Sequence, residues 1–545
     1  MTSESKTGKR LLGALGTSAV FAMVLVGCST GGTAPTATNS SGGPITIGTT
    51  DKVTTLDPAG SYDNGSFFIM NNVFPFLMNS NPGSSDVNPD IAESADFTSP
   101  TEYTVVLKSG LKWANGNDLT SSDVKFSFDR QVAIAADNGP STLLYNLEST
   151  EATDDTTVVF HLKAANDQIW PQILSSPAGP IVDEEVFAAD ALTSDKEIVD
   201  GNAFAGPYVI SSYKFNELVQ FKAFDGYQGL LATPKTATIN LKYYADQSNM
   251  KLDVQEGNID VATRSLSATD IDSLSGNDAV TVQKGPGGEI RYIVFNLNTM
   301  PFGATTAEAD AAKSLAVRQA MADLIDRDAI ANQVYKGTYL PLYSYVPAGL
   351  TGATDVLKGL YGDGSGGPDA DKAKAALDGA GVAVPVTLNL QYNPDHYGAS
   401  SGDEYALIKS QLEASGLFTV NLQSTEWVQY SKDRSADVYP LYQLGWFPDY
   451  SDADNYMSVF FQKDNFLKNH YDNPEVAALI QQQAVETDAD KRVAMIGDIQ
   501  AMVAADLSTL PMLQGAQVAV SGKDVKGVDE TLDASFKFRF NVLSK

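Results

Sequence analysis

Residues 445–454, "GWFPDYSDAD", interleave the rings of Trp446, Phe447 and Tyr450 with the carboxylates of Asp449, Asp452 and Asp454. Large rings favour burial, whereas ionised carboxylates resist it unless a positive or hydrogen-bonding group meets them. Four uses fit such a set: a metal site, a sugar-stacking platform, an ammonium pocket, or a turn held by its own side chains.

The metal reading finds little support along the chain. Asp452-x-Asp454 begins like a calcium loop, but the sixth position is Met457 rather than Gly and the twelfth is Lys463 rather than Glu. The three histidines, His161, His396 and His470, are too scattered for a local ligand motif, and the single cysteine, Cys28, excludes an intramolecular disulfide or a multi-cysteine site. Covalent chemistry fares no better. HExxH and P-loop patterns are missing. Ser-x-x-Lys occurs at Ser109, Ser122 and Ser211, but Ser-Asp-Asn is missing and the only Lys-Thr-Gly, residues 6–8, lies near the N-terminus ahead of the apolar run. No catalytic residue, metal or cofactor is expected.

The elements that must position the cluster belong to a chain of 545 residues, too long for one core, so two or more lobes are expected. With 67 acidic against 37 basic residues the net charge is −30, which repels nucleic acid and anionic membrane surfaces. The N-terminus carries Lys6, Lys9 and Arg10, then an apolar run from Leu11 to Val26, short for a membrane span and suited to a signal-peptide core. It ends in Leu25-Val26-Gly27-Cys28, which resembles a bacterial lipobox, in which the Cys thiol receives a diacylglycerol after cleavage. Residues 1–27 are thus expected to be a lipoprotein signal peptide. The uncharged Ser/Thr/Gly/Pro-rich 28–44 is expected to be a flexible tether, with a reach of roughly 20–25 Å.

Beyond it, strands are expected at 45–50, 103–108, 156–162, 238–244, 289–299, 386–392 and 516–522, with a hairpin over 206–224 turning at Asn216-Glu217. The pattern predicts helices over 66–79 (interrupted by Pro75), 247–257, 309–335 and 369–380. Thr120 and Asp123 make a capping box for a helix to about 135. Asn473-Pro474 caps another, and Thr487 with Asp490 starts one running to about 505, after which Pro511 ends the region. Such alternation indicates an α/β fold.

Residues 103–128, "YTVVLKSGLKWANGNDLTSSDVKFSF", resemble the signature of solute-binding protein family 5 of ABC transporters, which includes dipeptide-, oligopeptide- and nickel-binding proteins. Further blocks agree in order: "TLDP", "GPYVISSY", "EGNIDVA", "FNLNTMPF", "VRQAMADLIDRDAI" and "NPEVAALIQQQAVETDADKR". The resemblance spans 45–545. It implies a two-lobe, class II periplasmic-binding-protein-like fold: lobe I at 45–290 with a subdomain at about 80–205, lobe II at 291–511, and a return to lobe I at 512–545. Hinge strands are implied near 291–297 and 509–516.

Residues 426–450 are similar, without a gap, to the peptide-binding segment of oligopeptide-binding members. The family's Gly-Trp-x-x-Asp-Tyr falls on Gly445, Trp446, Asp449 and Tyr450. The resemblance implies that Asp449 pairs with a peptide ammonium, that backbone beside Gly445 and Trp446 adds the peptide as a strand, and that Trp427 and Arg434 line the pocket. Phe447 joins them as a candidate ligand-contacting ring. An Arg that some members use for the ligand carboxylate is replaced here by Gln443. The partners implied are a peptide ligand, ABC permease subunits and the membrane, reached through a lipid at Cys28; the receptor itself is a monomer on the outer face of the bacterial cell membrane. Two other readings stay open. Trp427 and Trp446 suit sugar stacking in an oligosaccharide receptor, and an envelope hydrolase or sensor is disfavoured by the missing nucleophile and base.

Overall fold

A computed structural model describes residues 42–545 apart from Ser265, Asp395, Gly398 and Ala399. The signal peptide expected over 1–27, Cys28 and most of the tether lie outside the described residues.

Eleven described strands form one mixed sheet. Two long antiparallel strands, Val280–Phe295 and Thr509–Gly522, run through its middle. Along one half, Val280–Pro286 pairs with Ala516–Gly522, and Val261–Thr263 continues the sheet to Ile45–Thr49, Thr238–Tyr243 and the hairpin Tyr208–Lys214/Leu218–Ala223. Along the other half, Ile290–Val294 pairs with Thr509–Gln514, and Leu441–Trp446 leads on to Val386–Tyr392 and Phe418–Ser424. The register breaks between Pro286 and Ile290. Backbone crowding there demands glycine: a Cβ on Gly287 would lie 2.4 Å from the Gly515 carbonyl, and one on Gly285 would lie 2.0 Å from that of Leu532.

The long strands feed separate cores. Ile293, Phe295, Leu510 and Leu513 join Leu388, Leu441 and Val503. Ala519 instead joins a core built on Ile45, Ile47, Phe74, Phe221 and Phe540. These are the two α/β lobes. A third core, with Trp113, Phe128, Phe160 and Trp170, lies under a four-stranded antiparallel sheet of Ala92–Ser99, Glu102–Leu107, Thr157–Leu162 and Leu147–Asp154. The helix Ser121–Ile134 packs there, and the expected capping box is present: Asp123 accepts the Thr120 N–H at 2.8 Å and Thr120 Oγ1 accepts the Ser122 N–H at 3.2 Å.

Four local expectations change. The helix read over 66–79 is Asn64–Val73, capped by Asp63; Phe74 is extended, as a residue before proline prefers to be. The 309–335 pattern splits into Ala311–Leu324 and Arg327–Gln333, because Ile325 turns extended and Asp326 caps afresh, accepting the Ala329 N–H at 2.8 Å. Asp488, rather than Thr487, caps Ala489–Asp506. Pro511 does not end its region but sits inside the strand Thr509–Gly522, at a register shift that removes the need for its missing N–H.

Candidate functional site

The strand Leu441–Trp446 is buried along most of its length, and Pro448 stops it from adding further ladder bonds. The chain then folds into a loop fastened by one side chain. Asn455 Oδ1 accepts both the Trp446 indole N–H and the Asp449 N–H, each at 2.9 Å.

The three carboxylates have three fates. Asp452 accepts two parallel bonds from the Arg492 guanidinium, at 2.8 and 2.7 Å, and caps the short helix Ala453–Tyr456. Asp454 is buried and accepts from Gln483, from the Tyr450 hydroxyl at 3.0 Å and from Ser458 at 2.8 Å; burial, reinforced by the Asp452 charge, raises its carboxyl above the usual range. Asp449 accepts from the Tyr62 hydroxyl and from Asn455 Nδ2 at 3.3 Å, and forms no ion pair among the described residues.

Asp449 faces a cavity of about 260 Å³. One wall is Phe447–Ser451, continuing the strand Leu441–Trp446 of the core that holds Ile293 and Leu388. The opposing walls come from Tyr62–Phe67, from Gln172 and Ser175–Pro177, and from Ser535–Lys537 of the C-terminal segment. Phe447 meets Phe536 with ring centroids 5.5 Å apart. Lys537 is buried, and its ammonium donates to Ser175 Oγ at 2.5 Å and to Asn79 Oδ1 at 3.2 Å. Burial, with the neighbouring Arg539 charge, pushes its pKa down to about 7.

Of the residues singled out from sequence, Phe447, Asp449 and Tyr450 line this cavity. Gly445, Trp446, Trp427 and Arg434 do not. Trp446 packs edge-on against Phe460 and Phe466. Arg434 is buried over the Phe466 ring, at 4.8 Å, and donates to the Phe466 carbonyl at 3.2 Å. Trp427 stacks on His396, with centroids 3.8 Å apart. The Gly445 N–H, expected to meet a peptide strand, donates to the Tyr397 hydroxyl at 3.0 Å. Gln443, in the place of the family's Arg, is committed inside the lobe: it accepts the Asn393 N–H at 3.0 Å and donates to Ser401 at 3.2 Å. Tyr62, Phe536 and Lys537 were not legible beforehand, because each reaches the cavity from a distant part of the chain.

Among the described residues one acidic group has ligand-like spacing: Asp123, Asp183 and Glu185, with oxygens within 4.8 Å of one another. Asp123 already accepts the Glu184 N–H and the Trp113 indole, and Asp183 accepts from Asn115 and Asn117. These bonds tie the 113–123 segment to Asp183 and Glu184.

Two α/β lobes sharing a pair of crossing strands, with a cavity walled by both cores, define the class of two-lobe ligand-binding proteins. Residues 86–468 match the bacterial extracellular solute-binding proteins, family 5 (Middle), and the chain belongs to that family. It is 24% identical to the dipeptide-binding protein of Escherichia coli K12 over 494 residues, covering 86% of this chain and 87% of the relative. It superposes on the unliganded open form of the periplasmic murein tripeptide-binding protein MppA with a TM-score of 0.78 at 18% identity, covering 92% of this chain and 97% of the other. The ABC transporter substrate-binding protein CtaP of Listeria monocytogenes gives a TM-score of 0.75 at 23% identity, covering 92% and 99%. Among the described residues no helix is long and apolar enough to cross a membrane.

Proposed function

We propose that the protein captures peptides between its lobes and hands them to the permease subunits of an ABC importer, without covalent chemistry. The observation that carries this reading is Asp449, a carboxylate on the cavity wall with hydrogen-bond donors but no cation among the described residues. A peptide α-ammonium, with a pKa near 8, is cationic at neutral pH and supplies the missing charge. The rings of Phe447, Tyr450, Phe67 and Phe536 offer apolar wall to varied side chains.

Lobe I is proposed at 45–290 with 512–545, its subdomain at about 80–205, and lobe II at 291–511. Closure would pivot at the interrupted pairing between Pro286 and Ile290, where glycine backbones meet. The basic patch, apolar run and Cys28 support a lipid anchor on the outer face of the cell membrane, with the folded body, a monomer, held on its tether. The oligosaccharide reading loses its stacking platforms here, since Trp427 and Trp446 pack against their own lobe.

Thermal unfolding with mixed tri- to pentapeptides, their N-acetylated forms and a panel of oligosaccharides tests the reading. A peptide at 100 times its dissociation constant adds about 2.7 kcal/mol, a clear upward shift that acetylation should abolish. A shift with sugars alone would overturn it.

A further inference from the structure

The cavity is lined by two carboxylates, Asp63 and Asp449, and one amine, Lys537, and none of the three forms an ion pair among the described residues; Asp63 is already held by Ser66 and Thr54. Asp449 is bonded by Tyr62 and Asn455. Lys537, on the C-terminal wall, is bonded by Ser175 and Asn79. No described carboxylate forms an ion pair with Lys537. Its other neighbours are the Phe76 ring, 5.5 Å from the ammonium, and the charges of Arg539, Asp533 and Asp90, which are engaged elsewhere: Arg539 pairs with Asp533 at 3.1 Å, and Asp90 is held by Tyr227 and the Leu230 N–H. A buried ammonium held only by a hydroxyl and an amide oxygen is costly in its charged form. An anion arriving in the cavity removes that cost.

We propose that Lys537 is the counter-ion of the ligand carboxylate, so that the cavity selects short zwitterionic peptides whose ammonium meets Asp449 and whose carboxylate meets Lys537. The inference rests on the peptide reading above and sharpens it. Gln443 cannot serve the carboxylate, being neutral and engaged with Asn393 and Ser401. Among the residues lining the cavity Lys537 is the one cation. One cavity walled by both Asp449 and Lys537 suits a peptide short enough for its two termini to lie in it together.

The test is calorimetric titration of the purified protein with a mixed di- and tripeptide library, the same library amidated at its C-termini, and the same library N-acetylated. The free library is expected to bind at least tenfold more tightly than the amidated one. Lys537→Gln should remove that difference: binding of free peptides weakens about tenfold, while binding of amides stays within twofold. Equal affinity of wild-type protein for acids and amides would overturn the role of Lys537 and leave the peptide reading standing. Equal weakening of acids and amides by Lys537→Gln would also overturn it, marking the lysine as structural. No binding of any library would sink the peptide reading and the inference together. The acid–amide comparison on wild-type protein needs no variant, so it decides the question even if Lys537→Gln fails to fold.

Discussion

Replacing Asp452 by Asn separates the carboxylate that holds the loop from the carboxylate that faces the ligand. Asp452 and Arg492 share two parallel bonds at 2.8 and 2.7 Å, with side chains 9% and 16% exposed. Asparagine remains a competent cap for Ala453–Tyr456, so the substitution reads the ion pair rather than the cap. Removing one partner of a fully buried pair costs about 3–5 kcal/mol, because the other charge is stranded. Two features lower that figure. Arg492 keeps some contact with water, and Asp454, whose carboxyl is held up partly by Asp452, becomes free to ionise and face Arg492. The expected loss is roughly 2–3 kcal/mol. Urea unfolding measures it as a lower midpoint at unchanged slope, with Asp449→Asn as the control, expected within about 1 kcal/mol of wild type because Asn455 can still donate to the amide oxygen while the Tyr62 hydroxyl turns to accept from the amide NH2. An unchanged midpoint for Asp452→Asn, or an equal loss for Asp449→Asn, would refute the division of labour among the three carboxylates.

Two further outcomes follow from the buried network and the crossing strands. Glu404 is buried, accepts the Tyr335 hydroxyl at 2.7 Å and has its carboxyl raised to about 7 by burial. Its folded pKa exceeds its unfolded one, so its contribution is fully present below about pH 4.5 and is lost as pH rises through 7. Glu404→Gln should therefore gain on wild type across that window, reaching roughly 3 kcal/mol near pH 8; parallel stability–pH curves for the two proteins would contradict this. Gly285→Ala drives a methyl to 2.0 Å from the Leu532 carbonyl, and a loss of about 1–3 kcal/mol in denaturant midpoint is expected, against no change if the backbone there can yield.

What was legible in the sequence was mostly local. The Thr120–Asp123 capping box and the Asn473-Pro474 helix start each depend on neighbours within a few residues, and both stand as read. The break at Ile325 was hidden because the apolar stripe continues through it; the informative residue was Asp326, a capping type at the head of the second segment. Pro511 misled because a proline inside a strand is tolerated only where the ladder shifts, and that shift depends on a partner strand more than 200 residues earlier. The candidate site divides in the same way. Phe447, Asp449 and Tyr450 share one loop and could be read together, whereas the Tyr62–Asp449 bond spans 387 residues and Lys537 reaches Asn79 across 458. Trp427 and Arg434 have residue types suited to a pocket wall, yet His396 and Phe466 give each a partner inside its own lobe.

The most direct test of the central claim is calorimetric titration of wild type and Asp449→Asn with free and N-acetylated tripeptides. The account expects wild type to bind free peptides and to lose at least about 2 kcal/mol, roughly thirtyfold in affinity, on acetylation. Asp449→Asn should suffer the same loss with free peptides and be indifferent to acetylation. Equal affinity of both proteins for free peptides would contradict the assignment of Asp449 as the counter-charge of the ligand ammonium.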